Sequence, residues 1–217
     1  MLGIGFVAYN FFPPGYYLPH EKPVLILPIP PEYDDAAEIM PMGEKICHPG
    51  PGHGHCGIDF SFRGLTEKVP YIASMDGTVS KVKLYPFKEE WGKGDVVVIS
   101  KTVADVVIVN WSYQTVYSEM DGDSLPATIK LGARIKQGDL VGYGHLLHDS
   151  ELGTYIEMIH WEFGSISPII DRFCPLTYFT VESRARIETI WAQTVWPEMK
   201  AQYPLICNGW YEGKAEK

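Results

Sequence analysis

The chain has 217 residues, 46% of them hydrophobic, which is enough for one cored domain with extensions or for two small domains. Its formal net charge is −9, and no basic stripe is present to neutralise phosphates, so a nucleic-acid partner is excluded. No apolar run reaches the roughly 18 residues of a membrane-spanning helix, so no transmembrane segment is predicted.

Prolines interrupt the N-terminal part of the chain repeatedly, and residues 1–45 are therefore predicted to form an irregular arm. One apolar run within it, residues 24–29, is a candidate strand. The segment Met1 to Phe12 is mildly apolar but lacks the basic start and the small-residue cleavage site of a signal peptide.

Residues 46–170 are predicted to form a β-rich domain. The chain contains 21 Gly and 17 Pro, and with its frequent Tyr and Trp this composition favours many short strands and turns over helices. Runs rich in β-branched and aromatic residues predict strands at 71–74, 78–82, 95–100, 103–117, 131–142 and 155–163. The first two of these strands are predicted to be joined by a tight turn.

Residues 171–217 differ from the rest and are predicted to form a helical extension packed on the core. Thr180 is a candidate N-cap with Glu182 in the first turn, and Trp196-Pro197 should end or kink the helix. The apolar face of this helix is formed by residues at helical spacing: Ile187, Ile190, Trp191, Thr194 and Val195.

The four cysteines have no CxxC spacing, and their even number permits two disulfides in an exported protein, with three possible pairings. They are Cys47, Cys56, Cys174 and Cys207. Cys174 and Cys207 flank the C-terminal helical segment and are the predicted pair.

A first chemical cluster pairs His55 with Asp59 in a glycine-rich stretch. On an extended strand these side chains would lie roughly 13 Å apart, so both can reach one ion only if the chain bends between them. Gly57 suits such a bend because it tolerates backbone angles that other residues avoid. The alternative is a glycine-rich surface loop that carries its histidines without a ligand role.

A second cluster lies on the predicted strand 155–163, where alternation places Met158, His160 and Glu162 on one face. With His55 and Asp59, His160 would complete a three-ligand set for a divalent metal such as zinc, leaving a fourth position open. A hydrogen-bonded structural histidine is the alternative. The metal prediction therefore requires the two clusters to meet in space.

Several segments follow one another along the chain: His-x-Gly-Ile-Asp-Phe at 55–60, the segments 69–79, 96–99, 115–117 and 135–142, and Met-Ile-His-Trp-Glu at 158–162. In this order and spacing they resemble the M23 zinc metallopeptidases, the lysostaphin and LytM-like cell-wall endopeptidases. The resemblance covers roughly half of the chain. It implies a mainly β fold of antiparallel sheets, sandwich- or barrel-like, with an open groove, and a Zn²⁺ ion held by His55, Asp59 and His160. It also implies a peptidoglycan peptide as substrate and an extracellular, periplasmic or cell-surface location.

Two positions depart from the family pattern. Met158 stands where the family has the first His of a His-x-His motif, and Glu119 stands where it has a second accessory His. Losing a general base typically costs a factor of about 10² to 10⁴ in rate. Three candidates remain as replacement catalytic groups, namely Glu119, His145 and His148. The alternative for each is an ordinary solvated loop residue.

Three functional hypotheses follow from these residues. The first is an active zinc metalloendopeptidase that cleaves peptidoglycan cross-link peptides. The second is a catalytically inactive metal-binding homologue that binds cell wall or regulates another hydrolase, which the loss of both accessory histidines favours. The third is a phosphocarrier-like domain, which would share the β-rich architecture and use paired histidines to relay phosphate.

Overall fold

The computed structural model describes residues 23–43, 55–83, 95–104, 111–149, 154–167 and 169–209. The segment Met1 to Phe12, Cys47 and residues 105–110 of the predicted strand 103–117 lie outside these ranges. The described part is mainly β, as composition and resemblance predict, with few helices. No helix within it has the length and apolar character that a membrane crossing requires.

The described strands are, in chain order, β1 (Ala37–Met40), β2 (Met42–Gly43), β3 (Ile58–Arg63), β4 (Pro70–Ile72), β5 (Gly77–Lys83), β6 (Asp95–Ala104), β7 (Trp111–Met120), β8 (Arg134–Ile135), β9 (Leu140–Tyr143), β10 (His145–Asp149), β11 (Thr154–Ser167), β12 (Ile169–Arg172) and β13 (Cys207–Asn208). The described helices are α1 (Val181–Gln193) and α2 (Pro197–Gln202). Nine of these strands form the main sheet, in the order β1-β3-β11-β7-β6-β5-β8, with β10 and β12 also paired to β11.

Strand β11 is the centre of the main sheet and carries the second chemical cluster. On one side it pairs with β3, so that His160 lies opposite Asp59. On its other side it pairs first with β10 and then with β7, and the change of neighbour falls next to His160. Because paired residues share a face, the alternation that buries Phe60 and Trp161 in the core turns Asp59 and His160 to the opposite face.

The structure confirms some predicted strands and corrects others. The predicted strand 155–163 is confirmed as part of β11, and 78–82 and 95–100 as parts of β5 and β6. The strands at 71–74 and 78–82 do not pair with each other, because β4 pairs with β9 while β5 pairs with β6. A strand over residues 24–29 was wrong: the segment forms only a single bridge, between Leu25 and Phe179.

Part of the expected irregular arm belongs to the folded core. Leu25, Leu27 and Ile29 are fully buried, and β1 extends the main sheet beside β3. Burial of these apolar side chains anchors the segment without a continuous ladder. Separate backbone hydrogen bonds support it, and they join Leu25, Ile26 and Pro28 to neighbouring segments of the chain.

The helix predicted after Thr180 is confirmed as α1, and the Thr180 side chain accepts a hydrogen bond from the Ser183 N–H at 3.0 Å. Ile187 and Ile190 are buried as predicted. Val195 was wrongly placed on this face: its side chain is 75% exposed, because α1 ends at Gln193 and the helical spacing stops there.

The α1 helix also protects an edge of the main sheet. The residue that follows it, Thr194, accepts a hydrogen bond on its Oγ1 from the Ile39 N–H at 3.0 Å, on strand β1. Such a contact satisfies a backbone donor that an unpaired edge strand would otherwise expose. The predicted disulfide is also confirmed, because Cys174 and Cys207 are bonded and tie the start of the extension to β13.

A buried carboxyl group lies within the core face of β11. Glu157 is only 1% exposed, and both of its carboxylate oxygens lie 2.9 Å from the Val69 N–H, which donates to them. Gly144 is packed so closely against it that any side chain there would overlap the Glu157 carboxylate. Burial raises the pKa of Glu157 from its ordinary 4.5 to about 7, although N–H donors from Val69 and Gly144 oppose the rise.

This carboxyl group should make the free energy of unfolding depend on pH. Between about pH 4.5 and pH 7 the folded chain retains a proton that the unfolded chain releases, so stability should fall by up to about 3 kcal/mol as pH rises through that window. Glu157→Gln should flatten this slope in urea unfolding measured across the window. The exposed Glu188→Gln on α1 is the control, and an unchanged slope in Glu157→Gln would contradict the assignment.

Candidate metal centre

Three side chains from the two sequence clusters converge on one point, on the face of the sheet opposite the one that holds Phe60 and Trp161. The Asp59 Oδ1 lies 3.0 Å from His55 Nε2 and 2.7 Å from His160 Nδ1. All three residues are buried, with exposures of 1% for His55, 6% for Asp59 and 7% for His160. Their ligand atoms lie within 4.8 Å of one another, so this group has the residue types and the spacing to hold a metal ion.

The hydrogen bonds behind these imidazoles direct their lone pairs at the same point. His55 Nδ1 lies 2.8 Å from the Pro41 carbonyl oxygen, which only accepts, so in the neutral ring Nδ1 carries the proton and Nε2 has the lone pair. His160 Nε2 lies 3.0 Å from Glu162 Oε1, which leaves the Nδ1 lone pair of the neutral ring facing Asp59. Two lone pairs and one carboxylate oxygen directed at each other fit a divalent cation, and a backing carboxylate or carbonyl is the usual partner of a ligating histidine.

In the absence of a cation, hydrogen bonds to Asp59 take the place of the two metal bonds. Burial alone would raise the pKa of Asp59, but hydrogen bonds from His160 and His55 outweigh it and hold the pKa below its ordinary value. Burial alone would lower the pKa of His160, but its contacts with Asp59, Cys56 and Glu162 raise the pKa well above its ordinary value. The centre therefore concentrates negative charge around one imidazole, which attracts a positive partner, either a proton or a cation.

The bend predicted between His55 and Asp59 is confirmed, because the chain turns at Gly57 before β3 begins at Ile58. The predicted reason was wrong, since Gly57 is not among the glycines with a positive φ. A side chain on Gly57 would instead lie 2.6 Å from the Trp161 carbonyl oxygen and 2.7 Å from Cε1 of the His160 ring. Glycine is needed there because the turn packs directly against the ring that it helps to position.

Sequence reasoning missed a supporting group formed by Glu162, Arg172 and Cys56. Glu162 Oε2 accepts a hydrogen bond from Arg172 Nε, and its Oε1 lies 3.4 Å from Cys56 Sγ, which donates to it. Burial alone would raise the pKa of Glu162, but His160 and Arg172 lower it to about 2, so the carboxylate stays ionised. Alternation along β11 already placed Glu162 on the face of His160, and this signal was sufficient to predict the contact.

Glu162 should therefore orient His160 rather than bind the metal of this centre itself. Glu162→Gln keeps the side-chain shape but removes the charge, so zinc affinity should fall by about 10- to 100-fold. Competition with a chromophoric chelator measures this, with Glu182→Gln on α1 as the control. Equal affinities for the two variants would show that Glu162 does not support the ring.

The structure places His145 near the centre, on the face of the ligands. His145 is the pairing partner of Met158, and Met158 lies two residues before His160 on β11. Paired residues share a face, and diagonal neighbours across two strands are roughly 7–8 Å apart. The imidazole of His145 therefore belongs to the same face as the metal-ligating group, one strand away from it.

The other two predicted catalytic residues, Glu119 and His148, are located by the register of their strands. Glu119 follows Ser118 on β7, and Ser118 is the pairing partner of His160. His148 lies opposite Tyr155, farther along β10 from the centre than His145. The roles of all three candidates remain predictions.

No protein-family model and no curated protein matches this chain. Among solved structures, a zinc-containing peptidase from Vibrio cholerae is similar with 21% identity and a TM-score of 0.43, over 65% of this chain and 37% of that one. Helicobacter pylori Csd3 is similar with 17% identity and a TM-score of 0.41, over 73% of this chain and 34% of that one. The match thus spans about a third of the length of these two proteins.

The catalytic domain of the antimicrobial peptidase lysostaphin from Staphylococcus simulans is similar with 13% identity and a TM-score of 0.44, over 69% of this chain and 97% of that domain. These are distant likenesses of fold. They do not assign an activity to this chain, so the functional argument depends on its own residues.

Proposed function

We propose that this chain is a zinc-dependent metalloendopeptidase of the M23 type that hydrolyses peptide cross-links of peptidoglycan. Its place of action would be extracellular, periplasmic or at the cell surface. The observation that carries the proposal is the convergence of His55 Nε2, Asp59 Oδ1 and His160 Nδ1 from two distant segments of the chain. Together they provide the nitrogen and oxygen donors of a catalytic zinc site that keeps a position open.

The residues have separate roles in this proposal. His55, Asp59 and His160 would hold the ion, which supplies Lewis-acid polarisation of the scissile carbonyl. Glu162, held by Arg172, fixes the orientation of the His160 ring through its second nitrogen. These contacts keep the ligand set in place before substrate arrives, which is how a rigid site limits the reorganisation that the reaction needs.

His145 is the proposed proton-transfer residue. It lies opposite Met158, which cannot usefully accept or donate a proton, so an imidazole from β10 replaces the one that β11 lacks. Its task is to take a proton from the attacking water and return it to the leaving amine.

A second candidate function is supported by Met158. A chain that binds zinc without turnover would bind cell-wall peptide or regulate another hydrolase. In that case Met158→His combined with Glu119→His should create activity, because only the accessory imidazoles would be missing. The phosphocarrier alternative fits less well, since both imidazoles direct a nitrogen at the Asp59 carboxylate, which would repel a phosphate.

The full chain, loaded with zinc, should cleave purified peptidoglycan or a defined cross-link peptide, with new amino groups as the readout. Cleavage should disappear on chelation and return with added zinc. Persistent failure to cleave across a range of pH, with zinc bound, would reject the hydrolase and leave the binding function.

A further inference from the structure

A second group of metal-binding atoms lies on the other edge of the His160 ring. Cys56 Sγ, His160 Nε2 and Glu162 Oε1 lie within 4.8 Å of one another. Glu162 Oε1 is 3.0 Å from His160 Nε2 and 3.4 Å from Cys56 Sγ. In a tetrahedral zinc site with one sulfur ligand, neighbouring ligand atoms stand roughly 3.3–3.6 Å apart, by the usual bond lengths. The two separations from Glu162 Oε1 are therefore already close to those that a bound cation requires, and the third lies within 4.8 Å.

The turn at Gly57 explains how Cys56 reaches this edge. A side chain on Gly57 would lie 2.9 Å from His160 Nε2, so the backbone passes directly beside that nitrogen. His55 and Asp59 consequently approach the Nδ1 edge of the ring, while Cys56 approaches the Nε2 edge. The close packing of Gly57 is independent of the hydrogen bonds within the group, and it holds the backbone next to Cys56 beside that nitrogen.

The donor types differ between the two edges. The first group offers two nitrogens and a carboxylate, whereas the second adds a thiol, which favours softer cations such as zinc or cadmium. Arg172 binds Glu162 Oε2 and leaves Oε1 directed at Cys56 and His160. The positive charge of Arg172 partly neutralises the negative charge of Glu162 and repels an added cation. The second site should therefore bind a cation more weakly than the first.

We propose that Cys56, His160 and Glu162 form a second site for a thiophilic divalent cation, which shares the imidazole of His160 with the first site. A cation that binds there displaces the thiol proton of Cys56 and the Nε2 proton of His160 to solvent. Only coordinate bonds form, and no group is oxidised or reduced. The second site goes beyond the proposed peptidase activity and does not depend on it.

The test is a titration of the full chain with Cd²⁺ alone, with the Cys174–Cys207 disulfide intact and the free thiols kept reduced under anaerobic conditions. The wild-type chain should bind about two cations, and the ultraviolet charge-transfer absorption of a cadmium–thiolate bond should appear. Cys56→Ser should bind about one cation without that absorption. His55→Ala should lose the first cation and keep the absorption.

Cys47→Ser is the matched control, because it removes another cysteine and should leave both cations and the absorption unchanged. Far-ultraviolet circular dichroism checks the fold of each variant, and Cys56→Ala provides a second replacement of the same thiol. If the wild-type chain binds only one cation, or if the absorption persists in Cys56→Ser, the proposal of a second site is wrong. Neither outcome bears on peptide cleavage, which the hydrolysis assay tests separately.

Discussion

Asp59→Ala is expected to weaken zinc binding more than any other single substitution in the first site. Asp59 Oδ1 is the atom that both imidazoles face, at 3.0 Å and 2.7 Å, so its loss removes the central anionic ligand. The affinity should fall by more than the roughly 10- to 100-fold that loss of a supporting contact costs. Isothermal titration or chelator competition measures it, in a Cys56→Ser background so that the proposed second site does not contribute.

Ser61→Ala is the matched control for this change. Ser61 lies two residues along β3 from Asp59, is 6% exposed, and its hydroxyl has no hydrogen-bond partner among the described residues. It should therefore retain zinc affinity and fold. Zinc affinity that survives Asp59→Ala would mean that the imidazoles meet for a structural reason, and the peptidase proposal would lose its basis.

His145→Ala is expected to have the largest effect on turnover among changes that spare the metal ligands. If His145 moves the proton, kcat should fall by about 10² to 10⁴, while zinc content stays unchanged. The loss of kcat should persist at every pH that is tested. Steady-state cleavage of a defined cross-link peptide, measured over a range of pH, separates this result from a general loss of structure.

His148→Ala and Glu119→Gln distinguish His145 from the other two sequence candidates. His148 lies on the same strand as His145 but opposite Tyr155, and its removal should leave kcat within a few-fold. Glu119 is next to Ser118 on β7, which pairs with β11 on the same side as β10 does. If either change reduces kcat by more than His145→Ala does, the proton-transfer role belongs to that residue instead.

Much of the local structure was predictable because it depends on short-range patterns. Period-two alternation located β11, and the cap at Thr180 located the start of α1, since both signals arise within a few residues. The pairing of strands was harder, because β4 and β5 are adjacent in sequence yet belong to different sheets. The prediction that Val195 belongs to the apolar face of the helix was wrong for a related reason, because the spacing of apolar residues does not show where a helix ends.

The sequence by itself determined the chemistry of the centre, because only His, Asp, Glu and Cys carry the donor atoms that such a site needs, and their spacing placed them on bends and strand faces. Tertiary structure alone decided which of them meet. The register of β11 against β3 and β10 sets Asp59 beside His160 and His145 beside Met158. The packing of Gly57 against the imidazole brings the backbone next to Cys56 to the far edge of the same ring. Register and close packing join residues about a hundred positions apart, and a local pattern contains no information about contacts at that distance.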